Sequence, residues 1–515
     1  MWKKIKKSFE GRFRIKSGMT KGESGVARLC GVIEKYEWGI GVVLIASLLR
    51  IPSLFEPDWY GDESIYLAVG QGLRRGLQLY SGIFDHKPPL IYWLAAISGK
   101  IWWFKLWLFP WNAISIMAVY VVARKLFRKE WLRVLLTLGF GLVTTLPWIE
   151  GNIVNSELLF IMPVLVVAAW LVGKKFTETR WWEWVVMGIL LSAAVLFKIP
   201  VVFDVFAIGL WLVLFQDNML SLRGLRGGLL MVLGFVIPVA LVAVYFASRG
   251  QLAELIYSGF LINFGYIASW SSDAVMSASS NTGLVNRGVA TMLGTALVWW
   301  MTRGAKREIR LVLVWFLWSL FGSLLSARPY PHYLIQVVPA TCLLLGIVID
   351  SQRKGVLVAA VGLLATLVMS VIVIDFYFYP TLKYYKNFGL YATGEISKEE
   401  WGDRFDGRVS RDRQIGEYIA QRTDPDERIL VWGDDPAIYL LSERLPAGRH
   451  VMTYHVEIFG RRKEEMASIQ EKKPTYIVWL EGAPKDFKEL NEQVAIEYIE
   501  VAKFKEATVL RKRAW

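Results

Sequence analysis

Long apolar runs, each closed by a few charged or turn-forming residues, repeat along the chain from about residue 38 to about residue 377. Runs near the roughly 20 residues that a helix needs to cross a hydrocarbon core predict transmembrane helices. The first covers 38–54, and two more follow at 90–104 and 106–127. Later breaks fall at Pro147, Lys174-Lys175, Lys198-Ile199-Pro200, Arg223 with Arg226, residue 247, Arg303 to Arg310, Arg328, Arg353-Lys354 and residue 379. Beyond Pro380 the rhythm changes to short apolar stretches between dense charges. Strands are expected at 428–432, 450–454, 475–479, 495–501 and 508–510, with helices at 411–421 and 461–469, which together predict a small α/β domain.

Composition agrees with this division. Of 515 residues, 54% are hydrophobic and only 20% charged, which excludes an ordinary water-soluble enzyme for the first three quarters of the chain. The net charge of +14 would suit a nucleic-acid binder. The basic residues, however, sit in short loops between apolar runs, where positive charge marks the cytoplasmic side of a membrane, so no nucleic-acid partner is expected. The arm 1–36, with Lys3, Lys4, Lys6, Lys7, Arg12, Arg14 and Lys16, reads as cytoplasmic rather than as a cleavable signal, because no apolar run follows until about residue 38. Alternating from there puts 55–89 outside. The basic cluster Arg124, Lys125, Arg128, Lys129 lies inside, so only one of the runs 90–104 and 106–127 crosses. The former, broken by Lys100 and Lys105, is the interfacial, juxtamembrane one. The result is an α-helical polytopic membrane domain, 37–379, with about eleven spans, followed by an extracytoplasmic domain, 380–515. Many of the 24 Trp and 21 Tyr fall near span ends as interfacial anchors, and the two cysteines, Cys30 and Cys342, suggest neither a disulfide nor a metal framework.

Ionisable groups held against a membrane are costly, so their clustering is the strongest chemical signal in the chain. The first outer loop contains Pro57-Asp58-Trp59-Tyr60-Gly61-Asp62-Glu63-Ser64-Ile65-Tyr66 and ends in Asp85-His86-Lys87-Pro88-Pro89-Leu90. The pair Asp62-Glu63 could supply a general base toward an acceptor hydroxyl; equally, it could be a solvated acidic turn with Asp62 capping a helix. Prolines after Lys87 fix its backbone on the outer rim, where it suits a lipid phosphate or simply snorkels to headgroups. A third cluster, Ser326-Ala327-Arg328-Pro329-Tyr330-Pro331-His332-Tyr333, offers a planar guanidinium for phosphate and a histidine for a phosphate or a metal. The outer loop near Glu150 also carries Asn155-Ser156-Glu157.

A long first outer loop with an acidic pair, a downstream Lys-Pro-Pro-Leu and a late Arg-x-x-x-His-Tyr before a span resembles the C-type (GT-C) integral-membrane glycosyltransferases. The closest likeness is to the bacterial branch of protein O-mannosyltransferases and the lipid A aminoarabinose transferase. The resemblance covers about 36–380. It implies an inverting transfer of a sugar from a polyprenyl-phosphate donor to a glycan, lipid or protein acceptor on the outer face of the cytoplasmic (inner) membrane. In its terms Asp62 and Glu63 are catalytic, and Lys87, Arg328 and His332 bind the donor phosphate. Tyr66, Asp85, His86, Asn155, Glu157, Tyr330 and Tyr333 position donor or acceptor, and Glu63, His86 and His332 are the residues that could hold a divalent metal. Where the aminoarabinose branch has a glutamate directly before the lysine, this chain has His86. The competing reading from another class, a transporter or flippase of a lipid-linked glycan, would want midplane charges and an internal repeat. A noncatalytic assembly subunit on the same scaffold would lack the acidic pair.

Overall fold

The computed structural model describes residues 21–174, 178–215, 221–268 and 281–513. Most of the basic N-terminal arm, residues 1–20, the side chain of Cys30, and residues 269–280 of the long loop after residue 247 lie outside that description. Cys342 is a free, buried thiol.

Up to residue 374 the described chain is helical. Among the described residues four helices are long and apolar enough to cross a membrane: Glu34–Phe55, Ile101–Leu126, Leu222–Ala247 and Lys354–Ile374. Shorter apolar helices, among them Ser156–Leu171, Trp181–Phe197 and Val338–Asp350, pack between them. The run expected to lie at the interface forms two pieces, helix Leu90–Ser98 and helix Ile101–Leu106, broken at Gly99 in a left-handed conformation (φ 72°). The tightest helix pairing is between Trp181–Phe197 and Leu222–Ala247. A Cβ on Gly234 would sit 2.1 Å from the Val185 carbonyl, and one on Gly188 only 2.0 Å from that of Met231. Such close backbone approach through small residues is how apolar helices associate where lipid removes the hydrophobic drive. Asp204 is buried among these helices and accepts from Trp315 Nε1 (2.6 Å), Ser319 Oγ (2.8 Å) and Gln336 Nε2 (2.5 Å).

The basic loops converge at one end of the bundle. Lys125 donates to the Ala169 carbonyl (2.7 Å), Arg307 to that of Lys174 (3.3 Å), Arg353 to that of Gly304, and Lys129 lies 3.6 Å from Asp350. The first loop, the 147–155 turn and the C-terminal domain occupy the other end.

That domain carries a five-stranded sheet: β1 Arg428–Trp432, β2 Leu445–Pro446, β3 Tyr476–Leu480, β4 Tyr498–Phe504 and β5 Ala507–Lys512, in the order β2-β1-β3-β5-β4. The β2/β1 and β1/β3 pairs are parallel; β3/β5 and β5/β4 are antiparallel, the last two strands forming a hairpin turned at Glu506 (φ 56°). Four of the expected strands are present. The fifth, 450–454, is not a strand of the sheet. His450 instead bridges Phe84 of the first loop, where Phe84 N–H donates to the Arg449 carbonyl (2.7 Å), and the chain then turns into helix Thr453–Ile458. The extended segment is used to join two domains rather than to widen the sheet. Further contacts fix the same interface: Arg75 donates to the carbonyls of Pro425 and Glu443 (both 2.8 Å), and Gln71 to that of Arg444 (3.2 Å).

Candidate active site

Helix Gly61–Arg74 starts from Tyr60 in extended conformation, with Asp62 and Glu63 in its first turn. Neighbouring positions on a helix point about 100° apart, and here the difference separates the acidic pair. Asp62 faces a cavity of about 340 Å³ at the domain interface. It accepts from the Tyr66 hydroxyl (3.0 Å) and lies 3.8 Å from Lys87 Nζ. Glu63 turns into the protein, where it meets Lys105 Nζ (2.9 Å) and accepts from Val154 N–H (2.6 Å); Lys105 also pairs with Glu56 (2.9 Å). Burial pushes the Glu63 carboxyl up to about 7 against the pull of Lys105. For Asp62 burial pushes the same way, but Lys87, then His332 and Lys198, outweigh it and hold the group below the usual carboxylate range.

Lys87 is placed by three tyrosines. Its carbonyl accepts from Tyr80 O–H (2.8 Å), its N–H donates to Tyr92 Oη (3.0 Å), and its ammonium lies 4.8 Å from the Tyr66 ring centroid. The same ammonium is 3.4 Å from Asp85 Oδ2, which also accepts from Tyr92 O–H (2.7 Å). Burial opposes ionisation of Asp85, yet Lys87 and His86 hold it well below the normal range.

Across the cavity stands a second ion pair, Glu157 with Lys198. Glu157 occupies the first turn of helix Ser156–Leu171, whose N-cap is Asn155, accepting from Leu158 N–H (3.0 Å). Asn155 is therefore buried structure behind the cavity. Lys198 Nζ lies 4.4 Å from the Tyr333 ring centroid. His332, at the start of the short helix Pro331–Gln336, pairs through Nδ1 with Glu150, which also accepts from Tyr60 O–H (2.6 Å). Burial disfavours the imidazolium, but Glu150 and then Glu157 raise the His332 pKa above its ordinary value. Tyr330, Tyr333 and His332 all line the cavity; Arg328 is buried and does not.

Glu63, His86 and His332 do not converge on one point, because the helix turns Glu63 toward Lys105 and His332 is held by Glu150. A different set does. Asp85, His86 and His455 present ligand atoms within 4.8 Å of one another, all three residues buried. His86 Nδ1 lies 2.9 Å and His455 Nε2 3.5 Å from Asp85 Oδ1, and neither ring nitrogen of His455 has a hydrogen-bond partner among the described residues. One carboxylate and two imidazoles, one of them unsatisfied, are a donor set that fits a divalent transition metal. Burial keeps both histidines on the neutral, ligating side: it lowers the His86 pKa, and lowers that of His455 well below the ordinary value.

Five participants escaped the sequence reading, His455 of the candidate metal set among them. Lys198 precedes Ile199-Pro200 as Lys87 precedes its prolines, and that echo could have flagged it. Glu150 lay outside the Asn155-Ser156-Glu157 motif. Met452 and Tyr454, which close the cavity from the C-terminal domain, carried no signal in one dimension.

The family described as the putative competence-induced protein Ccs4 N-terminal domain matches residues 40–386. Among solved structures, ArnT from Cupriavidus metallidurans bound to undecaprenyl phosphate is similar at 14% identity, TM-score 0.54, over 92% of this chain and 98% of that one. The Archaeoglobus fulgidus oligosaccharyltransferase, solved in complex with Zn and sulfate, shares 13% identity over 86% of this chain and 68% of its own, with TM-score 0.41. A search of curated proteins gives no match. The GT-C resemblance read from the first loop thus holds at the level of the fold.

Proposed function

The chain belongs to the family of the Ccs4 N-terminal domain, and we propose that it transfers a sugar from a polyprenyl-phosphate carrier to a cell-envelope acceptor, with inversion, at the outer face of the cytoplasmic membrane. One observation carries this reading: two lysines and two carboxylates face each other across a single cavity at the end of a bundle of apolar helices. Cations there suit a phosphate whose lipid tail lies between the helices, and carboxylates suit a hydroxyl that must lose its proton. A relative of the same fold, ArnT, was solved bound to undecaprenyl phosphate.

The chemistry assigns itself by charge. The acceptor oxygen attacks the anomeric carbon as the bond from that carbon to the phosphate oxygen breaks. The acceptor's proton goes to Asp62, and the leaving polyprenyl phosphate collects negative charge against Lys87 and Lys198. Lys198 takes the place expected of Arg328, which is buried outside the lining. A carboxylate held low is a weak base, and Lys87 resolves this. Lys87 is shared between Asp62 and Asp85, so a donor phosphate that draws its ammonium away leaves Asp62 more basic when the acceptor needs it. Asp85, His86 and His455 would hold a divalent cation, which would add positive charge beside the leaving phosphate.

In this reading the shorter apolar helices bring the crossings to about eleven, and the C-terminal domain lies outside the cell. The convergence of the basic loops at the opposite end supports that orientation. The test is purified protein in lipid nanodiscs with radiolabelled polyprenyl-phosphate sugars, following release of polyprenyl phosphate with and without chelator. Release that Lys87→Met and Lys198→Met each slow, with non-additive losses in the pair, is expected. Movement of lipid-linked sugar across the bilayer without release would replace the transferase by a flippase.

A further inference from the structure

We propose that a second cavity, divided from the first by the Glu150–His332 pair, binds a sugar ring of the acceptor. It measures about 190 Å³ and lies between the first loop, the turn around Glu150 and the chain that follows the last apolar helix. That is room on the order of one pyranose ring.

The partition is a single layer of side chains. Tyr60 and His332 line the first cavity, Glu150 lines the second, and Glu150 contacts both of them. Glu150 is itself left-handed (φ 63°), and a Cβ on the next residue, Gly151, would lie 2.7 Å from the Leu146 carbonyl. A non-glycine residue persists in that region only where its surroundings hold it there, a condition that gathers at binding sites. The turn has been bent to set one carboxylate between two chambers.

The lining has the character of a carbohydrate site, apolar faces with a few fixed polar groups. Trp59 and Tyr379 both line it, packed edge to face against each other (centroids 6.0 Å, interplanar 77°), and supply aromatic surface of the kind the C–H face of a sugar rests on. Tyr384 adds a third ring whose hydroxyl is anchored on Glu56 (2.5 Å), and Asn152 donates to the same carboxylate (2.8 Å), so the floor is rigid before any ligand arrives. Lys383 stands exposed at the edge, where a phosphate or carboxylate substituent would meet its ammonium; Arg404 beside it is held by Glu400 (2.7 Å) and Asn387 (2.9 Å). The ligand class is therefore a hexopyranose bearing an anionic group.

The assignment to the acceptor rests on the first cavity being the donor site; sugar binding itself does not. Full-length protein in nanodiscs, without donor, is titrated by saturation-transfer NMR with the 1-phosphates of glucose, galactose, mannose and N-acetylglucosamine and with their neutral methyl glycosides. At least one sugar phosphate should bind. Lys383→Ala should weaken it at least fivefold while sparing the matching glycoside, Tyr379→Ala should weaken both, and Lys87→Met neither. In turnover Lys383→Ala should raise the KM for acceptor and leave that for donor unchanged. The proposal is overturned if no member binds, or if Lys87→Met abolishes binding, which would place the sugar in the first cavity. Sugar binding without release of polyprenyl phosphate would sink the transferase reading alone, and release without sugar binding would sink this one alone.

Discussion

Asp62 and Glu63 are adjacent in sequence and opposite in employment. The cavity-facing acid should be the one on which turnover depends. Asp62→Asn keeps size and hydrogen bonding and removes charge, so the turnover number should fall by about 10²-fold or more with donor binding little changed, measured by single-turnover release of polyprenyl phosphate. Glu63→Gln should instead show its effect in thermal unfolding, because it strips a partner from buried Lys105. His332 gives the pH signature. Its pKa is raised in the folded chain, so the stability it draws from Glu150 is fully present below the ordinary histidine range and is lost as pH rises through the raised value. Unfolding temperature should therefore decline as pH rises above the ordinary histidine range, and that decline should be missing in His332→Gln. How far these residues could be read from the sequence follows from how far they act locally. Asp62, Lys87, Glu157 and His332 announced themselves as charges at span ends. Lys198, Glu150 and His455 gain their meaning only from partners more than forty positions away.

At the scale of elements, apolar runs were legible because a membrane helix is specified by composition over its whole length, whereas a short strand is specified by its neighbours. Residues 450–454 have the alternation of a strand, and the surface that paired with them was Phe84 rather than β1. The helix pair Trp181–Phe197 and Leu222–Ala247 was foreseen as two spans, but its contact through Gly188 and Gly234 needs both backbones in place. Gly234→Val should therefore lower the yield of folded protein and the temperature of inactivation, with a loss of at least the 1–3 kcal/mol typical of overpacking. Gly209→Ala, with nothing within 4 Å of a built Cβ, should behave as wild type in the same assay.

The whole molecule has a cationic end and a cavity end, and the proposed orientation places the first in the cytoplasm. In a background lacking Cys30 and Cys342, a cysteine at Gly304 should be labelled only after the membrane is permeabilised, whereas one at Lys485 should react in intact cells. The reverse pattern would invert the enzyme and detach the cavity from the outer leaflet. The main cavity also has a history written into its walls. Met452 and Tyr454 close it, and Phe84 is clasped by Arg449, so its lining joins residues from the first fifth of the chain to residues from the last fifth. During synthesis the early loop waits, open, until nearly every later segment has been made and, in the proposed orientation, exported. A chain ended at residue 380 should insert normally yet release no polyprenyl phosphate, as followed by membrane fractionation and the nanodisc assay. If the proposed activity and orientation hold, nascent chains are silent, and activity itself certifies that translation and export have both finished.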